Sequence, residues 1–274
     1  MNEHAKPTAS GNDAAPFRRE LSGTVLWLTL SRPDRGNALS RAPLTALTDA
    51  LKPAEADGAL RVIVIAAEGR IFSAGHDIFE MEPGGGEAAA RAAQREVLEV
   101  CRDLMLTVMR LDKPVIACIQ GIATAGGAQL VSACDLAVAG DSATFCTPGV
   151  NFGGFCTTPL IGIGRNIHRK HAMEMALTGD MFTATDALRF GLVNRVVPDT
   201  ELHSATEALA QNIARRGPEG IRQGKAAFYA QAEMPIDQAY ILAIDKMIDA
   251  CACDDAREGL AALQRKEKPR WDQD

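Results

Sequence analysis

Val115-Ile116-Ala117-Cys118-Ile119-Gln120-Gly121-Ile122-Ala123-Thr124-Ala125-Gly126-Gly127-Ala128-Gln129-Leu130, followed within a few residues by Asp135-Leu136-Ala137-Val138-Ala139, decides the fold. Residues 115–120 are an apolar run with β-branched members, the pattern of a strand covered on both faces. The glycines from Gly121 onward turn the chain into a helix, and residues 135–139 read as the next strand. Strand, glycine turn, helix and strand in succession predict an α/β body. Upstream, Glu87 to Arg110 reads as one long helix whose apolar positions Val97, Cys101, Leu104, Val108 and Leu111 share a face. Lys113-Pro114 ends it, because proline disfavours a helical residue before itself. Before the flexible break Pro83-Gly84-Gly85-Gly86, residues 61–67 form a second doubly covered strand, and 71–77 read as a short irregular segment. A helix over 42–51 and a strand over 24–30 complete the N-terminal part.

Downstream of Asp199 the signal becomes purely helical, over 201–215, 219–230, 236–250 and 255–264, with Gly217-Pro218 and Pro235 as breaks. No linker interrupts residues 17–200. The expected organisation is therefore a tail over 1–16 without fixed structure, an α/β core over 17–200 and a helical region over 201–274.

Composition narrows the function classes. The chain has 274 residues, 47% hydrophobic and 23% charged, which is ordinary for a globular protein. Its 29 basic and 35 acidic residues leave a net charge of −6, against the basic face of a nucleic-acid binder. No apolar stretch reaches the roughly 18 residues of a membrane span. The start, MNEHAKPTASGNDAAP, has neither the apolar core of a secretory signal nor the Arg-rich character of a transit peptide. Seven cysteines, an odd number, point to reduced thiols, and the expectation is a cytoplasmic protein.

Two segments carry candidate chemistry. Phe72-Ser73-Ala74-Gly75-His76-Asp77 follows one buried strand, and Gly121 to Leu130 runs from another strand into a helix. Glycine lets backbone approach a ligand closely, and a helix start leaves N–H groups unpaired. Two such N–H groups from separate turns, converging on one carbonyl oxygen, make an oxyanion hole. Either segment alone also fits a plain tight connection.

Taken together, Arg32-Pro33, Asn37-Ala38-Leu39, Phe72 to Ile78, Ala125 to Leu130 and Cys134-Asp135 resemble the ordered signatures of the crotonase superfamily, the enoyl-CoA hydratase/isomerase-like proteins. Thr178-Gly179, Ala187, Gly191-Leu192-Val193 and Val196-Val197-Pro198 are similar to the family's later segment. Leu263 to Trp271 resembles its closing basic motif, with Glu267 where a basic residue is usual. Residues 145–164 resemble a divergent branch of that family, enoyl-CoA hydratase domain-containing protein 3, which is also short of the family's glutamates.

The resemblance implies a crotonase-like spiral of ββα units with a C-terminal helical trimerisation region, trimers pairing into hexamers, and an acyl-CoA thioester as ligand. It implies no cofactor, since coenzyme A is part of the substrate, and no metal. Carried over, the oxyanion donors are the backbone N–H groups of His76 and Gly126. The Ala74 carbonyl falls near the adenine of coenzyme A. Gly75, Asp77, Ile78, Gly127 and Gly149 fall at the substrate, and Arg35 and Lys266 are phosphate partners unless they are simply solvated cations.

The chain also departs from the family. The hydratases' two glutamates correspond to Gln129 and Gly149. Hydration needs one group to take a proton from water and another to deliver one to carbon, and neither an amide nor a hydrogen atom does either. Two other side chains offer themselves. His76 either holds a substrate carboxylate or shuttles a proton, or else packs with only its N–H in use. Cys156 either faces the acyl pocket or is a small core residue. Asp77 is expected to fix its turn by binding backbone N–H groups. His168 and His171 read as a solvated basic face, and Met173 and Met175 as packing. The resulting expectation is an acyl-CoA enzyme working by a route other than two-glutamate hydration. Decarboxylation of a malonyl-type thioester demands least of it, and isomerisation or weak hydration through Gln129 are alternatives. A non-catalytic acyl-CoA-binding protein is the alternative from another class.

Overall fold

In the computed structural model, which describes residues 15–271, the chain opens with an antiparallel pair, β1 (Phe17–Ser22) and β2 (Val25–Leu30), followed by helix α1 (Arg41–Ala56). Three strand–strand–helix passages come next. The first comprises β3 (Val62–Ala67), β4 (Ile71–Ser73) and helices α2 (Ile78–Met81) and α3 (Glu87–Arg110). The second is β5 (Val115–Ile119), β6 (Ile122–Thr124) and α4 (Gly126–Ala133); the third is β7 (Leu136–Gly140), β8 (Thr144–Cys146) and α5 (Pro159–Asn166). Then come α6 (Arg169–Thr178), β9 (Phe182–Thr183), α7 (Ala184–Phe190) and β10 (Arg195–Val197). The described chain closes with α8 (Leu202–Ala214), α9 (Pro218–Gln231), α10 (Ile236–Ala252) and α11 (Asp254–Arg265).

Each passage divides its strands between two sheets. β3, β5 and β7 lie in a six-stranded sheet of order β1-β2-β3-β5-β7-β10, parallel from β2 onward, while β4, β6 and β8 lie in a second sheet of order β4-β6-β8-β9. The chain thus winds through both sheets three times, which is the expected spiral of ββα units. The expected irregular segment at 71–77 begins with strand β4, and the Gly121 turn holds strand β6 before its helix starts. Three-residue strands are too short to show a period.

The alternation of side chains explains why the large sheet's strands read as unbroken apolar runs. Leu26, Leu28, Ile63, Ile65, Ala117 and Ile119 face a core shared with Leu44, Leu47 and Leu51 of α1 and Leu104 and Val108 of α3. Their neighbours Val25, Trp27, Val62, Val64, Ile116 and Cys118 point the other way, into a core with Leu202, Leu209 and Ala210 of α8. Helix α1 runs beyond the expected end at Leu51, through Pro53, to keep Ala54 buried. The four C-terminal helices lie within a few residues of their expected bounds.

Of the expected N-terminal tail, residues 1–14 lie outside the described residues. Ala15 and Pro16 each offer a carbonyl to Ser31, to its hydroxyl at 2.9 Å and its N–H at 3.1 Å. Among the described residues no helix is long and apolar enough to cross a membrane.

Candidate functional site

Because β4, β6 and β8 run parallel, their carboxyl ends open onto one edge. From that edge emerge Ala74-Gly75-His76, Ala125-Gly126 and Thr147-Pro148-Gly149. Ligand sites of α/β proteins form at such carboxyl ends because the loops leaving them converge.

The first turn is locked by backbone and side-chain hydrogen bonds. The Ala74 N–H donates to the Gly36 carbonyl (2.9 Å), and the Leu39 N–H donates to the Gly75 carbonyl (2.8 Å). The Ser73 hydroxyl donates to the Asn37 carbonyl and accepts from the Gly75 N–H. Asn37, buried and with φ +49, spans the loop behind: its amide donates to the Glu68 and Ile71 carbonyls and accepts from the Arg32 N–H. Thr124 Oγ1 donates to the Ala74 carbonyl at 3.1 Å, tying the first turn to the second.

The two turns touch. Gly75 has φ +84, and a Cβ built on it would lie 3.0 Å from the Gly126 nitrogen, the Thr124 carbonyl oxygen and the Ala125 Cβ. A Cβ on Gly127 would lie 2.5 Å from the Ser73 carbonyl oxygen. Only glycine at 75 and 127 permits this approach. Ala125, at φ 46 and ψ −113, is a non-glycine residue in strained backbone, held there by its N–H bond to the Cys146 carbonyl (3.0 Å). Gly126 is the first residue of α4, so its N–H finds no acceptor within the helix and lies at the positive end of the helix dipole. Among the described residues the His76 N–H has no backbone acceptor either.

His76 Nδ1 lies 3.2 Å from the Leu39 carbonyl oxygen. A carbonyl only accepts, so the proton sits on Nδ1. Nε2 is then a bare lone pair, shielded from solvent and without a partner among the described residues. Burial holds the imidazole below the ordinary histidine pKa, against the opposite pull of the Leu39 carbonyl and of Glu80.

At the position of the first family glutamate, Gln129 is buried on α4, its Oε1 3.9 Å from the Cys101 thiol of α3. Burial pushes that thiol up to about 12, so it stays protonated. At the second position there is no room. A Cβ on Gly149 would lie 2.8 Å from the Cys156 nitrogen and 3.0 Å from its Sγ. Burial raises the Cys156 thiol pKa, and a hydrogen bond with the Gly149 backbone acts the other way. A protonated thiol packed against Gly149 is not an activated nucleophile. It follows that Gly149→Glu will not restore a second carboxylate but will displace the Cys156 backbone. We expect a destabilisation of about 1–3 kcal/mol, as for other overpacked sites, with no gain in crotonyl-CoA hydration even alongside Gln129→Glu. Thermal melting and a hydration assay of both variants check this.

The remaining expected residues are dispersed. Asp77 caps α2, accepting from the Phe79 N–H at 3.0 Å. Ile78 and Phe79 beside it stand 66% and 82% exposed. Arg35 is exposed and paired at 3.9 Å with Asp34, and Lys266, also exposed, ends α11 in left-handed backbone. His171, expected on a solvated face, stacks on Phe190 at 3.9 Å, and Met175 is buried while Met173 is exposed. An open groove of about 560 Å³ between α1, α2 and α3, lined by Arg41, Thr45, Glu80 and Glu96 among others, includes none of the expected site residues. The sequence reading did not single out Ser73, Thr124 or the Leu39 carbonyl as site elements. A polar residue on a buried strand just before a glycine turn was the available signal for Ser73.

The enoyl-CoA hydratase/isomerase family profile matches residues 20–274. The chain is 42% identical to mouse enoyl-CoA hydratase domain-containing protein 3, mitochondrial, over 245 residues, 89% of this chain and 80% of that protein. It is 41% identical to the human mitochondrial protein of the same name over 254 residues, 92% and 82% of the two chains. The crystal structure of human enoyl-CoA hydratase domain-containing protein 3 superposes with a TM-score of 0.89 at 39% identity, covering 93% of this chain and 100% of that one. These relatives correct the cytoplasmic expectation, because they are mitochondrial proteins. The physical reason is that free cysteines exclude an oxidising compartment without choosing among reducing ones. Four of the seven here, Cys101, Cys118, Cys134 and Cys146, are simply buried packing residues.

Proposed function

The chain belongs to the enoyl-CoA hydratase/isomerase family, and from that membership we propose that it binds an acyl-CoA thioester where its two glycine turns meet and polarises the thioester carbonyl with the backbone N–H groups of His76 and Gly126. The observation that carries this reading is the close packing of the two turns, so tight that a Cβ on Gly75 would lie 3.0 Å from the Gly126 nitrogen, with the His76 and Gly126 N–H groups both lacking a backbone acceptor among the described residues. Donors aimed at a carbonyl oxygen stabilise the negative charge that grows there when the α-carbon becomes carbanionic, and fixed backbone donors need no reorganisation to do so.

Two-glutamate hydration is not the reaction. Gln129 neither gives nor takes a proton, and Gly149 has no side chain. Decarboxylation of a malonyl-type thioester requires no base from the protein. The bond from carboxylate carbon to α-carbon breaks, its electron pair passes into the enolate, carbon dioxide leaves, and the α-carbon takes a proton from solvent. A mass-spectrometric screen of malonyl-type, enoyl- and saturated acyl-CoAs tests this. Loss of carbon dioxide from a malonyl-type thioester is the expected product. Robust hydration of crotonyl-CoA would sink the argument from the missing glutamates, and binding without product would establish an acyl-CoA-binding protein instead.

Self-association belongs to the same proposal. Ile236, Tyr240, Ile241, Ile244, Met247 and Ile248 make an exposed apolar stripe along α10. Six large apolar side chains exposed along one helix are the kind of patch that marks an interface. Light scattering is expected to give three or six times the chain mass, and a monomer would exclude it.

A further inference from the structure

We propose that the His76 side chain is the positioning residue of this site: protonated on Nδ1 and bare on Nε2, the ring ties the first glycine turn to the Leu39 carbonyl and, by direct contact, fixes where the Gly126 N–H points. The inference rests on the carbonyl-polarising reading above and adds the side chain to it. On one side of the ring, Nδ1 donates to the Leu39 carbonyl at 3.2 Å, in the segment leading into α1. On the other, a Cβ built on Gly126 would lie 3.3 Å from Nε2 and 3.4 Å from Cε1, so the ring edge packs directly against the first residue of α4. The same residue therefore supplies one backbone N–H and spaces the other. With Nε2 shielded from solvent and its edge against Gly126, the ring is placed to hold backbone in position rather than to bind a substrate carboxylate or relay a proton.

The arrangement requires a neutral ring. A proton on Nε2 would place a charged N–H against the Gly126 backbone with no acceptor. The charged groups around the ring do little to welcome it. Glu80 on α2 favours the charged form, but its carboxylate is engaged by Arg41 at the head of α1, which also holds Glu96 of α3. Asp77 is committed to the start of α2, and α4, Gly126 to Ala133, carries no charged residue. Burial lowers the ring's pKa in the folded protein. The unfolded chain therefore takes up the proton first, near pH 6.5, and the native arrangement weakens as pH falls from there towards the lower native value. Above about pH 6.5 it is intact.

A 3-arylacryloyl-CoA, whose conjugated carbonyl absorbs at longer wavelength when polarised, reads the site directly. Bound to the wild-type protein at about pH 8, well above the histidine range, the probe is expected to shift to the red. The shift should fade only as the pH falls below about 6.5, towards the lowered native value. His76→Asn keeps a donor for the Leu39 carbonyl and cannot titrate, so it should retain part of the shift without pH dependence. His76→Leu should bind the probe and lose the shift. A wild-type shift in His76→Leu, or one that ignores pH in the wild type, overturns the proposal. Should the wild type bind the probe without a shift, or not bind it, the carbonyl-polarising reading fails by itself. Nitrogen-15 spectra of histidine-labelled protein, with His76 assigned by its loss in His76→Asn, then decide the side chain's part. An unprotonated Nε2 supports it, and a protonated Nε2 overturns it.

Discussion

Gly126→Pro is expected to remove about 10²–10³-fold of the turnover found for the preferred thioester, the penalty for losing one oxyanion donor. The substitution deletes the backbone N–H and fills the space in front of it with the ring's Cδ. At the first residue of α4 the substitution removes no helical hydrogen bond, but it follows Ala125 at φ 46 and ψ −113, which proline disfavours in the residue before it, so some loss of melting temperature is expected as well. A far-ultraviolet spectrum that stays near wild type while the rate falls assigns the loss to the site. A folded variant with an undiminished rate would show that the second glycine turn does not hold the carbonyl. Gly126 packs against His76, so this variant also alters the spacing between them, and comparison with His76→Leu, which keeps the Gly126 N–H, separates the two effects. The loss from a missing donor persists at about pH 8, well above the histidine range.

Lys225→Met is expected to cost about 3–5 kcal/mol of stability, measured by denaturant unfolding, because it strands a charge at the base of the C-terminal helices. Lys225 Nζ lies 2.7 Å from Asp135 Oδ2 and donates to the Val108 and Lys113 carbonyls at 3.2 and 3.0 Å. Asp135 also accepts from the Val115 N–H at 2.7 Å and the Tyr229 hydroxyl at 2.9 Å. Only 8% of the lysine side chain and 16% of the aspartate are exposed, so water cannot take the lost partner's place. Adding Asp135→Asn removes the orphaned charge and should recover a substantial part of the loss. A single variant as stable as wild type would mean that apolar packing alone holds α9 to the core.

Much of the fold was legible because its longest elements obey simple periodicity. Residues 62–67 and 115–119 are apolar throughout because the large sheet is covered on both faces, and α3 shows its buried face at Val97, Cys101, Leu104 and Val108. The second sheet was not legible. Its strands β4, β6 and β8 have three residues each, and their partners lie tens of residues away. At the site, glycine pointed to close approach at positions 75, 126 and 127, while its meaning at 149 needed the neighbour Cys156, seven residues on in sequence and in contact in space. The orientation of the His76 ring is fixed by the Leu39 carbonyl, and no pattern in the sequence announces which carbonyl a histidine will find. The basic residues Arg35 and Lys266 drew attention by charge alone, and each is exposed at the surface.

The winding of the chain through both sheets has a consequence for the protein's birth on the ribosome. Strand β4 and its glycine turn emerge first, but β6, the strand that pairs with β4, carries the turn that completes the pair, and Gly126 follows Gly75 by 51 residues. At about 5–20 residues per second, that interval lasts roughly 3–10 s, during which the β4 edge has no partner in the second sheet. An open strand edge beside the apolar Phe72 is the kind of surface on which nascent chains adhere to one another. The same spiral that brings distant glycines together in the finished molecule therefore leaves this segment in need of shelter during synthesis.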